Sequence, residues 1–302
     1  MSTPDPFDTA ELRAATLQNW RRSPTRLRED TATEADLVRG GYRDRVLTEL
    51  AQNAADAAAR AGVRGELTVR LVDNALRVAN TGAPLDRGGV QALAALRASS
   101  KTSGVGRFGV GFTAVLAVSE EPRVLSRSGS IAFSAARTRV ELGVTDVPAL
   151  RLVWPVDEQP AAGASTEVIL PLRPGVDGTG LLRAFATEAP ELLLAFPALQ
   201  SISVSGTLMV RADRPLDSGL DEVSIGRQLW WCSGRDEVRW LVAVSSEGEV
   251  QPLSEDVLRA PTRTDEELSL PAMVIAGVAL QPDRRRLLPG TSLRALAQAY
   301  PE

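Results

Sequence analysis

Three short polar segments of this sequence carry residue types suited to binding a phosphorylated ligand and a metal ion. In chain order they are Glu49–Asp56, Val78–Pro84 and Gly106–Phe112. The first combines an acid with an amide, the second places an amide before a turn, and the third is rich in glycine. Together they predict a nucleotide pocket built from a helix with a polar edge, a turn at a strand end, and a glycine loop that opens a helix.

The first segment lies in a predicted helix. Residues 42–61 are rich in Ala, Leu, Arg, Glu and Gln, and Gly62 is a plausible stop. At about 100° per residue, Glu49, Asn53 and Asp56 fall within an arc of roughly 60°. An Asn amide oxygen suits Mg²⁺, and a Glu one turn earlier can orient or deprotonate a water that attacks a phosphate. The alternative is an amphipathic helix with a solvated polar edge.

The second segment follows a predicted β-hairpin. Apolar and polar residues alternate over residues 66–72, Asp73 and Asn74 are turn residues, and a strand pattern resumes at residues 76–79. That strand ends at Asn80, which offers the donor and the acceptor that a planar purine edge needs. Gly82 lets the backbone approach a ligand closely. A plain turn is the alternative, because Asn, Gly and Pro are ordinary turn residues.

The third segment is a glycine loop. Glycines at positions 104, 106, 109 and 111 precede an apolar run over residues 112–118. Free N–H groups that lead into a helix N-terminus form a natural phosphate cradle, although a glycine loop alone is a common pattern. Lys101, just before the loop, is the only lysine in the chain. We interpret it as a residue that binds phosphate or belongs to a lid. The alternative is that a single lysine remains in the chain by chance.

The three segments in this order resemble the motifs of the Bergerat-fold ATP-binding domain of the GHKL superfamily. They are most similar to its ninety-kilodalton heat-shock and sacsin-like members, over roughly residues 30–210. The resemblance implies an α+β fold, a two-layer sandwich of an antiparallel or mixed sheet covered by helices, with a small β-rich C-terminal extension. The order of predicted elements, helices followed by antiparallel strands, is also typical of α+β proteins.

The resemblance also implies roles for individual residues. Glu49 matches the general base, Asn53 the Mg²⁺ ligand and Asp56 an acid near the nucleotide. Asn80 matches the residue that accepts from the adenine amino group, and Thr166 one that helps to bind adenine through water. The other candidate nucleotide-binding residues are Gly82, Lys101, Gly106, Arg107, Phe108, Gly109, Val110, Gly111 and Phe112.

Two departures from the family pattern leave the base selectivity open. Asn80 stands where the family usually has Asp, and Pro84 replaces the second glycine of the same motif. An Asn oxygen still accepts from an adenine amino group, but it carries no charge and the amide can flip.

An arginine cluster near the C-terminus is a further candidate for phosphate binding. Arg284, Arg285 and Arg286 follow one another between Pro282 and Gly290. Such residues reach a γ-phosphate when they act as arginine fingers, and Arg285 is our candidate for that catalytic contact. The alternative is a solvated basic turn.

The elements around these segments are predicted from local patterns. A first helix at residues 8–22 begins with Asp8 as its cap, and a short helical piece covers residues 33–38. Strands are predicted at 122–127, 130–135, 137–142, 150–154 and 166–172, and a helix at 180–194. The tryptophans at 230, 231 and 240 are interpreted as core aromatics of a small sheet, with an exposed interaction surface as the alternative.

Composition excludes several classes of function. The net charge of −4 with scattered arginines gives no sign of nucleic-acid binding. The only cysteine, Cys232, rules out an intrachain disulfide and suits a reducing compartment, so a cytoplasmic location is predicted. The longest apolar run, residues 272–280, is too short to span a bilayer, so no membrane partner is expected. The chain has no histidine, which excludes a phosphoacceptor His and Ser-His-Asp catalysis.

We expect residues 1–212 to form the ATP-binding domain with an N-terminal helical extension. Residues 213–302 are expected to be a small β-rich region at the start of a longer protein. The predicted function is Mg²⁺-dependent binding of ATP and ADP with slow hydrolysis by a chaperone-like module, whose lid closure drives conformational change, with homodimerisation and protein clients as possible partners. The alternatives are a nucleotide-binding switch without appreciable turnover, and an interaction protein with a decayed pocket.

Overall fold

The computed structural model describes residues 5–39, 45–95, 111–235, 238–281, 285–291 and 293–298. Backbone contacts divide the chain into two compact units. The first contains Met1–Thr187 and Ile202–Thr207, and the second contains Glu188–Ser201 and Leu208–Glu302.

The described residues contain seven α-helices and one 3₁₀ helix. The helices are α1 (Thr9–Arg22), α2 (Pro24–Arg39), α3 (Val46–Ala61), α4 (Arg87–Ala94), α5 (Ala135–Leu142), α6 (Gly178–Ala195) and α7 (Arg294–Gln298), and the 3₁₀ helix is Phe112–Ala117. Of the described helices, none is both long enough and apolar enough to cross a membrane.

Fifteen strands are described. They are β1 (Gly65–Val72), β2 (Ala75–Asn80), β3 (Arg123–Ser126), β4 (Ser130–Phe133), β5 (Val153–Val156), β6 (Thr166–Pro171), β7 (Leu199–Val204), β8 (Thr207–Pro215), β9 (Asp221–Ile225), β10 (Gln228–Arg235), β11 (Val238–Val244), β12 (Val250–Gln251), β13 (Asp256–Arg259), β14 (Arg263–Leu268) and β15 (Met273–Ala276).

The expected two-layer Bergerat sandwich covered by helices is wrong. The part of the chain that the structure describes is 33% helix and 32% strand, a largely β-rich fold whose strands form a 15-stranded mixed sheet. Their order is β14-β13-β15-β11-β10-β9-β8-β7-β1-β2-β6-β3-β4-β5, with β12 paired to β11. The prediction failed because hydrophobic periodicity is a local signal, and it does not reveal which strands pair across long stretches of sequence.

The predicted hairpin at the start of the first unit is confirmed. β1 and β2 pair antiparallel from Leu67↔Asn80 to Val72↔Ala75. The two turn residues, Asp73 and Asn74, have φ values of 49° and 57°. Two residues with positive φ form the turn whose twist matches a β-hairpin, and Asn and Asp tolerate that conformation best. This turn fixes the register that brings Asn80 to the end of the strand.

The predicted strand over residues 137–142 is wrong, because this segment belongs to helix α5. The Ser134 hydroxyl accepts a hydrogen bond from the Arg137 N–H at 3.1 Å, which caps the helix at its start. Gly143, at φ 66°, ends it. The capping serine and the terminal glycine outweigh the short alternating pattern between them.

The first helix is confirmed, but its cap is not the one predicted. Asp8 has φ 54° and makes no side-chain capping bond. The Asp5 carboxylate instead accepts from the N–H groups of Thr9 and Ala10, at 2.9 and 3.2 Å. The residue before the helix is therefore a turn residue, and the capping acid lies one turn earlier.

Helix α2 is longer than the predicted piece and is fixed to the first unit by two buried acids. Asp30 accepts from the Trp20 indole N–H at 2.9 Å, which joins α2 to α1. Glu34, only 5% exposed, accepts from the backbone N–H groups of Ala149 and Leu150 at 2.6 and 3.0 Å. Burial raises the pKa of Glu34 to about 7, although the two backbone bonds and Arg151 oppose this shift.

The raised pKa predicts that stability depends on pH through Glu34. The folded protein holds the Glu34 proton more tightly than the unfolded chain, so this contribution is complete below about pH 4.5 and is lost as pH rises through about 7. We expect the unfolding free energy of the wild type to fall by on the order of 3 kcal/mol relative to Glu34→Gln over that range. Urea unfolding of both proteins from pH 4.5 to 8 measures this difference.

The matched control is Glu29→Gln. Glu29 is an acid of the same helix, but its side chain is 61% exposed. This substitution should leave the pH dependence unchanged. A constant difference in stability between the wild type and Glu34→Gln at all pH values would contradict the prediction. The chain has no histidine, so few other groups titrate in this range.

In the second unit, the buried Arg211 and the half-buried Arg239 bind the carbonyl end of α6. Arg211 donates to the Leu193 carbonyl at 2.7 Å, and Arg239 donates to the carbonyls of Leu194 and Ala195 at 2.8 and 2.7 Å. Cations at a helix C-terminus satisfy its last carbonyls and oppose its dipole. The interpretation of the tryptophans as core residues is confirmed for Trp230 and Trp240, which are buried.

Candidate functional site

A cavity of about 690 Å³, counted out to the solvent, lies in the first unit between α3 and the sheet. Its walls come from helix α3, three central strands, helix α4 with the segment that leads into it, and the start of the 3₁₀ helix. The lining residues are Leu50, Asn53, Ala57, Arg60, Val78, Asn80, Ala83, Pro84, Leu85, Asp86, Gly89, Leu93, Phe112, Val124, Thr166 and Val168.

The floor of the cavity is apolar because three valines lie side by side on adjacent strands. Val78 on β2 pairs with Val168 on β6, and Val168 also pairs with Val124 on β3. Since side chains alternate between the two faces of a strand, this register places all three on one face. The row offers a flat apolar surface of the kind that a planar ring contacts.

The polar end of the cavity lies two residues further along the same strands. Asn80 at the end of β2 pairs with Thr166 at the start of β6. The Asn80 amide group donates to the Thr81 carbonyl at 3.1 Å, which leaves its oxygen as an acceptor. Across the described part of the chain, the Thr166 hydroxyl has no hydrogen-bond partner. Both residues were predicted to bind a base, and both line the cavity.

Helix α3 forms the opposite wall through four residues spaced three or four apart. They are Leu50, Asn53, Ala57 and Arg60. This spacing places them on one face of the helix. Within the residues that the structure describes, the Asn53 amide makes no hydrogen bond, so its oxygen is available to a ligand of the cavity.

An amide oxygen on the cavity wall fits Mg²⁺, which needs few protein ligands because it keeps waters and substrate phosphates. No group of three or more His, Cys, Asp or Glu side chains that could hold a metal occurs in the described ranges. Asn53 is the residue of this wall whose side-chain oxygen could hold such an ion.

The two predicted acids of α3 lie beside this wall. Glu49 is one turn before Asn53 and only 6% exposed, and Asp56 is half-buried. Neither belongs to the described lining of the cavity. Of the three polar residues predicted to share one side of α3, only Asn53 borders the cavity. The two acids lie before and after it along the helix.

Gly82 allows the turn after β2 to pack directly on α3. It has φ 130°, and a Cβ atom at this position would lie 2.7 Å from both the Ala57 carbonyl carbon and the Ala58 nitrogen. The next residue, Ala83, donates its N–H to the Ala57 carbonyl at 2.9 Å. Gly82 was predicted to approach a ligand; in the structure it approaches the helix that carries Asn53.

Sequence reasoning missed the residues that hold the wall after Gly82. Ser126, at the end of β3, is fully buried, and its hydroxyl accepts from the Leu85 N–H at 3.0 Å. Asp86 caps α4 by accepting from the Gly89 N–H at 2.6 Å. The cap could have been recognised from an Asp before a short helix. Nothing local indicates that Ser126 binds a residue far from it in sequence.

Most of the predicted phosphate loop lies outside the described residues. This holds for Lys101, Gly106, Arg107, Phe108, Gly109 and Val110. Gly111 is described and buried, and Phe112 lines the cavity, with its ring centre 6.1 Å from that of Phe133. Arg285 belongs to the second unit, where its carbonyl accepts from the Asp265 N–H at 2.7 Å.

No protein-family model matches this chain, and its comparison with curated proteins gives no significant match. The motifs of the sequence and the cavity are therefore the observations that bear on its function.

Proposed function

We propose that this cavity binds ATP together with Mg²⁺ and that the chain hydrolyses ATP slowly. The observation that supports this most strongly is that Asn53 of the first segment, Asn80 of the second and Thr166, which the family resemblance adds, line one cavity.

The base would lie on the valine row, with its edge toward the polar end. The Asn80 oxygen would accept from the amino group of adenine, because the Asn80 amide group is already bonded to the Thr81 carbonyl. The Thr166 hydroxyl, on the paired residue, can donate to a ring nitrogen directly or through water. This combination favours adenine over guanine, which presents a carbonyl oxygen in place of the amino group.

The phosphates would extend along α3 toward the 3₁₀ helix. Asn53 supplies an oxygen ligand, and Mg²⁺ when bound would neutralise phosphate charge. Glu49, one turn away, would hold the proton of the attacking water, as its motif resemblance to GHKL ATPases implies. In the chaperone-like form of this proposal, closure over ATP drives a conformational change in the cytoplasm, and homodimerisation and protein clients follow from the same resemblance.

A nucleotide-binding switch without turnover is the second candidate. Glu49 is buried and is absent from the described cavity lining, which favours this alternative. Binding requires only the floor, the polar end and Asn53. Hydrolysis additionally requires that a water reach Glu49.

Calorimetric titration with ATP, ADP and GTP, with and without Mg²⁺, tests the proposal. Adenine-selective binding that Mg²⁺ strengthens is the expected result. The absence of binding to all three nucleotides would refute it. Release of inorganic phosphate under the same conditions separates the hydrolytic form from the switch.

Asn53→Ala is expected to weaken ATP binding in the presence of Mg²⁺ by about tenfold or more, roughly 1.4 kcal/mol. The affinity measured in EDTA should change little, because the lost oxygen acts through the metal. Titrations of the wild type and the variant with and without Mg²⁺ measure the difference.

The control is Gln52→Ala, which removes an amide from the same helix at a position outside the described lining. In Gln52→Ala, Mg²⁺ should strengthen ATP binding as much as it does in the wild type. If Mg²⁺ strengthened ATP binding equally in Asn53→Ala, Asn53 would not be a metal ligand.

A further inference from the structure

We propose that Ser126 and Ser128 act as positioning residues that fix the main chain of Leu85 and thereby make the cavity selective for adenine. We call this arrangement the serine clamp. The inference rests on the proposed nucleotide-binding function and adds to it the residues that set base preference.

The clamp engages both main-chain polar groups of one wall residue. The Ser126 hydroxyl accepts from the Leu85 N–H at 3.0 Å and donates to the Ser165 carbonyl at 3.2 Å. The Ser128 hydroxyl donates to the Leu85 carbonyl at 2.5 Å. Leu85 lines the cavity, so its position decides how far the wall lies from the valine row.

Ser126, the buried residue of the clamp, is itself fixed by further hydrogen bonds. Ser126 is fully buried, and its own N–H donates to the Ser130 hydroxyl at 3.1 Å. That hydroxyl in turn donates to the Glu158 carbonyl at 2.6 Å. A chain of satisfied hydrogen bonds in a buried place holds its members in one geometry. The clamp is therefore a rigid reference for a wall segment that has no regular secondary structure.

The clamp also decides which hydrogen bonds the wall can offer to a base. Because both polar groups of Leu85 are engaged, this residue presents only its apolar side chain to a ligand. The base edge is then read by Asn80 and Thr166, which lie in one row with Ser126 across β2, β6 and β3. Releasing the Leu85 N–H would add a donor beside the cavity, and the guanine carbonyl oxygen can accept from such a donor whereas the adenine amino group cannot.

The test compares ATP and GTP affinities of the wild type and of Ser126→Ala by calorimetry. We expect Ser126→Ala to bind ATP about tenfold more weakly and to lose most of the preference for ATP over GTP. Ser128→Ala leaves the Leu85 N–H bonded, so it should weaken ATP binding less and keep the preference. Ser128 is exposed, so this variant is expected to fold even if Ser126→Ala does not.

Ser134→Ala is the matched control. Ser134 is another buried serine of the first unit, and its hydroxyl caps α5 rather than holding the cavity wall. It should reduce stability without changing either nucleotide affinity. This separates a positioning effect from a general loss of stability.

A second readout does not require nucleotide. The amide hydrogen of Leu85 should exchange with solvent faster in Ser126→Ala than in the wild type, while the amides of the β1–β2 hairpin remain unchanged. Unaltered Leu85 exchange, or an unaltered ATP to GTP ratio in a folded Ser126→Ala protein, would overturn the clamp. Wild-type protein that binds GTP more tightly than ATP would overturn the base preference while leaving nucleotide binding in place. Wild-type protein that binds neither would overturn the proposed function itself.

Discussion

Glu49→Gln is expected to reduce ATP turnover by at least about a hundredfold while leaving ATP affinity within about twofold. Glutamine keeps the size and hydrogen-bonding capacity of the side chain but cannot take a proton from water. Glu49 is only 6% exposed, so a smaller residue would also leave a buried cavity. The loss of stability that follows would then be mixed with the loss of the base. Phosphate release under saturating ATP measures turnover, and calorimetry measures affinity on the same preparation.

The matched control is Glu66→Gln, which makes the same chemical change at an exposed position of β1. It should change neither quantity. Equal losses of affinity and turnover in Glu49→Gln would mean that Glu49 supports the cavity and is not a base. A wild type that binds ATP without releasing phosphate would favour the switch, and Glu49→Gln would then have no turnover to lose.

The parts of the site that were predicted best from the sequence are those that depend on neighbouring residues in the chain. The α3 segment has a strong helical composition and a terminating glycine, so the shared face of Asn53 with its neighbours follows from helix geometry. The hairpin follows from two residues that tolerate positive φ between alternating segments. Asn80 and Thr166 were each proposed from their motifs, but their pairing across β2 and β6 is a finding of the structure.

The parts that sequence could not predict depend on pairing between distant segments. The valine row depends on the register of three strands, and one of them, β6, comes almost ninety residues after β2. The order of the fifteen-stranded sheet has the same origin, and the expected helix-covered sandwich failed for this reason. Ser126 resembles any other serine at a strand end, and its role appears only when Leu85 lies against it.

Gly82→Ala is expected to lower the free energy of unfolding by about 3 kcal/mol or more and to abolish ATP binding. The added Cβ atom would lie 2.7 Å from two main-chain atoms of α3, those of Ala57 and Ala58, at a φ of 130° that alanine rarely adopts. Helix backbone cannot move aside as a flexible side chain can. The turn must therefore leave the helix, which breaks the hydrogen bond from Ala83 to the Ala57 carbonyl.

The loss of binding should exceed what reduced stability alone would cause. Asn80 lies two residues before Gly82 and Leu85 three residues after it, so a displaced turn moves both the polar end and the clamped wall of the cavity. Gly88→Ala is the control, because Gly88 lies in helix α4 and its added Cβ would have only the Asp86 carboxylate oxygen nearby, at 3.4 Å. Alanine within a helix is better than glycine by up to about 1 kcal/mol, so Gly88→Ala should be neutral or stabilising and should bind ATP normally. Urea unfolding and calorimetry on both variants measure the contrast. Equal stability of Gly82→Ala and the wild type would contradict the packing of this turn on α3 and the cavity that the turn helps to enclose.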